Sequence, residues 1–219
     1  MPHPVVVSWS GGKDSALALH AVLQDPELHV EGLLTTVTEG YERISMHGVR
    51  LALLRKQVAA TALQLEEIRI PPEASNIIYE AELRRSLEAL GHRGVRRVVF
   101  GDLFLRDIRE YREGLLARTG HQGLFPLWLR DTRSLAEEFM ALGFRAKLVC
   151  VDPRQLDPSF CGREFDLQLL AELPAGADPC GERGEFHTFV YDGPIFREPI
   201  PVTKGAVIER DGFWFCDFY

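Results

Sequence analysis

Residues 5–15 read Val5-Val6-Val7-Ser8-Trp9-Ser10-Gly11-Gly12-Lys13-Asp14-Ser15 and run straight into an alanine- and leucine-rich segment. No other stretch constrains the fold as much. A valine run that empties into a glycine-bearing loop, with a helix opening behind it, is a recipe for holding phosphate. Glycines let backbone N–H groups crowd an anion, and the helix N-terminus adds partial positive charge. The loop has neither the Gly-x-x-x-x-Gly-Lys spacing of a Walker loop nor the Gly-x-Gly-x-x-Gly of a dinucleotide fold.

The rest of the chain reads as a frame for that loop. Strands are expected at 4–8, 29–37, 66–70, 95–100 and 123–128, and helices at 15–24, 49–65, 77–90 and 107–119. Gly91 and Gly120 are the expected ends of the last two helices. On the 107–119 helix, Ile108, Tyr111 and Leu115 fall on one face. Strands alternating with helices at this pitch predict an α/β fold, a doubly wound parallel sheet whose ligands sit at the carboxyl ends of the strands. The pattern changes after about residue 130. Ser134-x-x-Glu137 reads as a capping box, followed by a strand at 144–151, a short helix at 164–173 and strand-like runs at 186–191 and 206–218. This predicts residues 1–130 as a nucleotide-binding domain and 131–219 as a smaller α+β domain that binds an acceptor.

The balance of charges, 25 Lys and Arg against 32 Asp and Glu, gives a formal net charge of −7 and argues against a long nucleic acid as partner. The arginines at 84, 85, 93, 96 and 97 are interspersed with glutamates and read as a solvated face. No apolar run reaches the ~18 residues of a membrane span, and Met1-Pro2-His3-Pro4 carries no secretory signal. The four cysteines form no Cys-x-x-Cys pair, which fits reduced thiols in the cytoplasm.

Ser10-Gly11-Gly12-Lys13-Asp14-Ser15 resembles the Ser-Gly-Gly-x-Asp-Ser signature of the PP-loop ATP pyrophosphatases, which cleave ATP between the α- and β-phosphates. Further motifs narrow the resemblance: Phe100-Gly101-Asp102, Arg109 with Glu113, Pro126-Leu127-Trp128, Gly143-Phe144-Arg145-Ala146 and Gly162-Arg163-Glu164-Phe165-Asp166. The last is Asp178-Pro179-Cys180-Gly181-Glu182-Arg183-Gly184-Glu185-Phe186-His187-Thr188. Together they are similar to the diphthine–ammonia ligase family, with Arg183 and His187 standing where a Gly and a Glu are usual. That departure brings the chain closer to prokaryotic relatives.

The resemblance implies a Rossmann-like sheet of the adenine-nucleotide-alpha-hydrolase (HUP) type. It also implies an ATP-dependent, AMP-forming ligase that adenylates a carboxylate and amidates it with ammonia. The acceptor would be diphthine on elongation factor 2 or an unidentified small molecule. No glutaminase module fits in 219 residues, so free ammonia or a separate donor is expected. ATP and Mg²⁺ are the implied cofactors.

Ser10, Gly11, Gly12, Lys13, Asp14 and Ser15 are then the expected pyrophosphate cradle, with Lys13 neutralising charge on the leaving group. Asp14 either helps hold Mg²⁺ or caps the helix. Gly101 and Asp102 lie at the sheet's ligand edge, and His47 near the exit of the second strand is a candidate for lining the nucleotide pocket. Arg109 and Glu113 are either site residues or a surface i,i+4 pair. Glu182 and Glu185 reach a cation or an incoming amine, or form a solvated acidic loop; His187 is either a site residue or a structural one. The Phe213-Trp214-Phe215 cluster reads as core or interface, and exposed aromatics near the C-terminus leave a homodimer open. Two rival functions remain at this point. A thiolation-type tRNA or nucleobase modifier would need a basic face and paired catalytic cysteines. A sensor would bind adenine nucleotide without turnover.

Overall fold

A computed structural model describes residues 2–40, 43–44 and 48–219. His47 lies outside the described residues. The first half alternates strand and helix: β1 (His3–Ser8), α1 (Lys13–Leu23), β2 (Leu28–Thr38), β3 (Arg43–Ile44), α2 (Leu51–Thr61) and β4 (Leu65–Ile70). It continues through α3 (Asn76–His92), β5 (Arg97–Val99), α4 (Arg106–Ala117) and β6 (Gln122–Leu124). The parallel strands lie in the order β4-β2-β1-β5-β6, with the two-residue β3 pairing antiparallel to the end of β2. The doubly wound parallel sheet read from the sequence is therefore present.

β1 is the central strand, and its valines show why a continuous apolar run belongs there. Val5 and Val7 are fully buried in a cluster with α1 and α2, whereas Val6 points to the opposite face and packs with Leu87, Leu90 and Leu116. Successive strand residues face opposite sides, so a strand with helices on both sides needs apolar residues at every position. From β1 the chain winds outward to β2 on one side and later resumes at β5 on the other. The reversal places the loops after β1 and β5 side by side at the carboxyl edge, which is the switch point of such sheets.

The second half forms α5 (Thr132–Ala141), β7 (Arg145–Val151), α6 (Leu167–Glu172), β8 (Phe186–Asp192), β9 (Lys204–Arg210) and β10 (Phe213–Phe218). Its four strands make a separate antiparallel sheet, ordered β8-β7-β10-β9. The apolar cluster on the α1 face of the first sheet continues without a break into this part, through Phe139, Phe144, Leu148, Phe165, Phe186 and Phe189. Two sheets thus share one core.

Several local expectations are corrected. Asp131, not Ser134, caps α5: its side chain accepts from the Ser134 amide at 2.8 Å. The 77–90 helix continues through Gly91 to His92, and Gly94 takes the left-handed turn at φ +83°. A Cβ on Gly91 would meet only the flexible end of the Arg96 side chain, 2.6 Å from Nη1. The single run at 206–218 is the β9–β10 hairpin, turned at Asp211-Gly212. Ile108, Tyr111 and Leu115 do share one face of α4, which lines a cleft; Leu115 is buried with Leu116, while Ile108 and Tyr111 are 38% and 41% exposed. The arginines at 84, 85 and 93 pair with Glu88, Glu82 and Glu66, as a solvated face should.

Candidate active site

A cleft of about 770 Å³ opens at the switch point, bordered by Ser10–Ser15, Gly101-Asp102, the N-terminal parts of α3 and α4, and the 180–188 segment. Gly11 has φ +77°, and a Cβ on it would lie 2.8 Å from Gln57 Oε1. Only glycine suits both constraints. A Cβ on Gly101 would meet the Asp14 carbonyl carbon and oxygen at 2.7 Å, so the β5 exit presses directly on the loop.

The second sheet grips the same loop. The Val190 amide donates to the Gly11 carbonyl at 2.9 Å, and the Lys13 amide donates to Thr188 Oγ1 at 3.0 Å. Fully buried Gln57 donates from Nε2 to the carbonyls of Gly11 and Val190 at 2.9 and 2.6 Å, and accepts from Trp9 Nε1 at 2.9 Å. Gly12, the N-cap of α1, supplies no side-chain cap, and the Thr188 hydroxyl from β8 takes that place.

Lys13 is 3% exposed. Its ammonium reaches Asp14 Oδ2 at 2.9 Å and the Cys180 carbonyl, between the faces of Phe165 and Phe186. Burial pulls its pKa down, but Asp14, Cys180 and Glu182 together outweigh burial and raise it, so the amine stays charged. Burial pushes the Asp14 carboxyl up despite Lys13. Its Oδ1 is buried with no hydrogen-bond partner among the described residues.

Two further carboxylates border the cleft. Asp102 Oδ2 lies 2.8 Å from Arg112 Nε, and burial raises its pKa against the pull of that guanidinium. Glu182 Oε1 accepts from the Leu103 amide at 2.8 Å, which ties the 178–185 loop to the loop before α4. Burial, with the charges of Asp14 and Asp102 behind it, pushes Glu182 up to about 7. Among the described residues no three His, Cys, Asp or Glu side chains converge as a metal cage. Mg²⁺ asks for less than a cage, since it is held by one or two carboxylates, waters and substrate phosphates. An orphaned Asp14 Oδ1 bordering this cleft fits that requirement.

Of the remaining expected residues, His187 borders the cleft and Glu185 and Arg109 do not. Glu185 is 1% exposed and turns away from the cleft, its two oxygens accepting from the Asp178 and Arg183 amides at 2.8 and 3.0 Å. Arg109 pairs with Glu113 at 2.8 Å and stacks on Phe125 and Trp128, while Arg112, one turn further on, holds Asp102. His187 borders the cleft, and burial with the Lys13 charge lowers its pKa to about 4. The sequence reading passed over Gln57, Arg112 and Thr188. Gln57 had a readable signal: it is a polar residue on the apolar stripe of Leu51, Leu54 and Val58.

A parallel sheet that delivers Ser-Gly-Gly-Lys-Asp-Ser to its switch point, facing a nucleotide-sized cleft, defines an α/β nucleotide-binding protein of the PP-loop type. The model of the diphthamide synthase N-terminal domain matches residues 3–122, and that of the diphthamide synthase C-terminal domain matches residues 131–218. The chain belongs to the diphthamide synthase family. Relatives named diphthine–ammonia ligase are 27% identical over 187 residues in Danio rerio, 26% over 179 in Homo sapiens and 25% over 228 in Schizosaccharomyces pombe. These matches cover 80%, 78% and 94% of this chain, and 72%, 66% and 37% of the relatives' own lengths. The chain thus spans about two thirds of the vertebrate proteins and little over a third of the yeast one. Among the described residues no helix is long and apolar enough to cross a membrane.

Proposed function

We propose that the chain is an AMP-forming, ATP-dependent ligase that amidates a carboxylate with ammonia, the acceptor being diphthine on elongation factor 2 or a small molecule with an equivalent carboxylate. The acceptor carboxylate attacks the α-phosphorus, pyrophosphate leaves into the 10–15 loop, and ammonia then displaces AMP from the acyl-adenylate. Residues 1–130 hold the nucleotide and residues 131–219 contribute the acceptor side. The observation that carries this reading is the loop at the α1 N-terminus, with Asp14 Oδ1 left unpartnered and with Asp14 and Asp102 close enough to act on the Glu182 carboxyl.

Each residue has a chemical task. Loop N–H groups other than those of Gly12 and Lys13, which Ser10 and Thr188 hold, take the charge that develops on the leaving pyrophosphate, aided by the α1 dipole. Lys13 acts through its buried field while its contacts go to Asp14 and Cys180. Asp14 and Asp102 would hold Mg²⁺, which neutralises phosphate charge. Glu182, half protonated near neutrality, can accept a proton from ammonium or the attacking amine. The thiolation reading loses support because all four cysteines are buried, with Cys150 and Cys161 pushed up to about 12, away from the thiolate that sulfur transfer needs. Product analysis tests the proposal: ATP, ammonia and acceptor should give AMP and pyrophosphate, and Asp14→Asn should lower turnover about 100-fold or more while the protein stays folded. Formation of ADP and phosphate instead would overturn it.

A further inference from the structure

Three hydroxyls surround the ATP loop, and their protons are not equally available. Ser15 Oγ donates to the Gly12 carbonyl at 2.9 Å. Because a hydroxyl has one proton, the 3.2 Å contact between Ser10 Oγ and Ser15 Oγ must then be donated by Ser10. Both serines therefore commit their protons inside the loop. Thr188 differs: its Oγ1 accepts from the Lys13 amide at 3.0 Å, and among the described residues its own proton has no acceptor. The side chain is 2% exposed, borders the cleft beside Ser10 and Gly12, and comes from the other sheet. A Cβ built on Gly12 would touch Ser10 Oγ and Thr188 Oγ1 equally, at 3.4 Å, so the two oxygens flank the same point of the loop.

We propose that Thr188 is a phosphate-binding residue supplied to the ATP loop by the second sheet, its hydroxyl proton donated to an oxygen of the pyrophosphate group. The inference rests on the reading that ATP is split at this loop, and extends it. The accepted Lys13 amide fixes the Thr188 rotamer, so the hydroxyl is oriented before ligand arrives and little ordering accompanies binding. The C-terminal part of the chain then completes the phosphate site, and removal of one oriented donor from a charged acceptor weakens binding about tenfold or more.

Thr188→Val tests this, because it keeps the shape and removes the hydroxyl. Binding of inorganic pyrophosphate and of AMP, each with Mg²⁺, is measured by titration calorimetry for wild type, Thr188→Val and Thr188→Ser, with folding checked by circular dichroism. The expected result is pyrophosphate weakened about tenfold or more in the valine variant and restored in the serine variant, with AMP changed less than about twofold. A purely structural cap gives the opposite sign: the valine variant frees the Lys13 amide to meet phosphate, so pyrophosphate binds equally or more tightly, and the inference falls. It also falls if both ligands weaken alike, which marks general damage to the site. Thr188→Ala takes the valine variant's place, read by the same criteria, if that variant does not fold. Failure of the wild-type protein to bind pyrophosphate would instead overturn the ligase reading beneath it.

Discussion

The Val190 amide donates to the Gly11 carbonyl at 2.9 Å, so a strand of the antiparallel sheet is hydrogen-bonded to the 10–15 loop of the parallel one. Gln57 bridges the same two residues through its Nε2. The loop's geometry is therefore a property of both halves of the chain.

Gln57→Met should show this directly. It nearly keeps the volume but strands the Trp9 N–H and the Val190 carbonyl in a site with no water access. The loss in stability should be about 2–4 kcal/mol by urea unfolding, with ATP affinity falling as well. A change below about 0.5 kcal/mol would mean the bridge is not needed.

Gly101→Ala should act on the nucleotide more than on the fold. The new methyl meets backbone atoms of Asp14 at 2.7 Å, which no rotamer change relieves, so the loop must move. ATP affinity should fall about tenfold or more for a displacement of this kind, with a modest loss of stability. Unchanged affinity in a nucleotide titration would show that the loop has slack.

Arg112→Gln should move a pH profile. Burial already raises Asp102, and Arg112 is the main influence pulling it back down. Without the guanidinium the carboxyl ionises at higher pH, so the acidic limb of kcat/KM should shift upward. An acidic limb that stays in place would remove Asp102 from the catalytic ionisations.

Glu182 should leave a signature in stability. With a folded pKa of about 7 against the ordinary glutamate value of 4.5, the native state keeps a proton that the unfolded chain has released across that window. Stability of the nucleotide-free protein therefore falls as pH rises from about 4.5 to 7. After discounting for the side chain's partial exposure the effect is on the order of 1–2 kcal/mol. Glu182→Gln should flatten the slope in thermal melts at several pH values; an unchanged slope would assign the titration elsewhere.

Much of this was legible in the sequence because short-range chemistry dictates it. Three valines before a glycine loop announce a buried strand whose exit loop lies at the ligand edge of the sheet, and Asp102 after β5 reads as a ligand-edge residue for the same reason. Long-range pairing was hidden. Nothing near Glu185 indicates that its oxygens are taken by the amides of Asp178 and Arg183, so a Gly-rich acidic loop reads as two free carboxylates when one of them holds the loop in shape. Arg109 and Arg112 share a helix, and only the position of β5 decides which one meets Asp102. Thr188 reads as an ordinary strand residue until the second sheet is seen against the loop.

The most direct test of the account is exchange of radiolabelled pyrophosphate into ATP, with the carboxylate acceptor present and ammonia withheld. Reversible adenylation at the 10–15 loop predicts acceptor-dependent exchange that Asp14→Asn abolishes. ATP binding without exchange, under conditions where amide product still forms once ammonia is added, would contradict it.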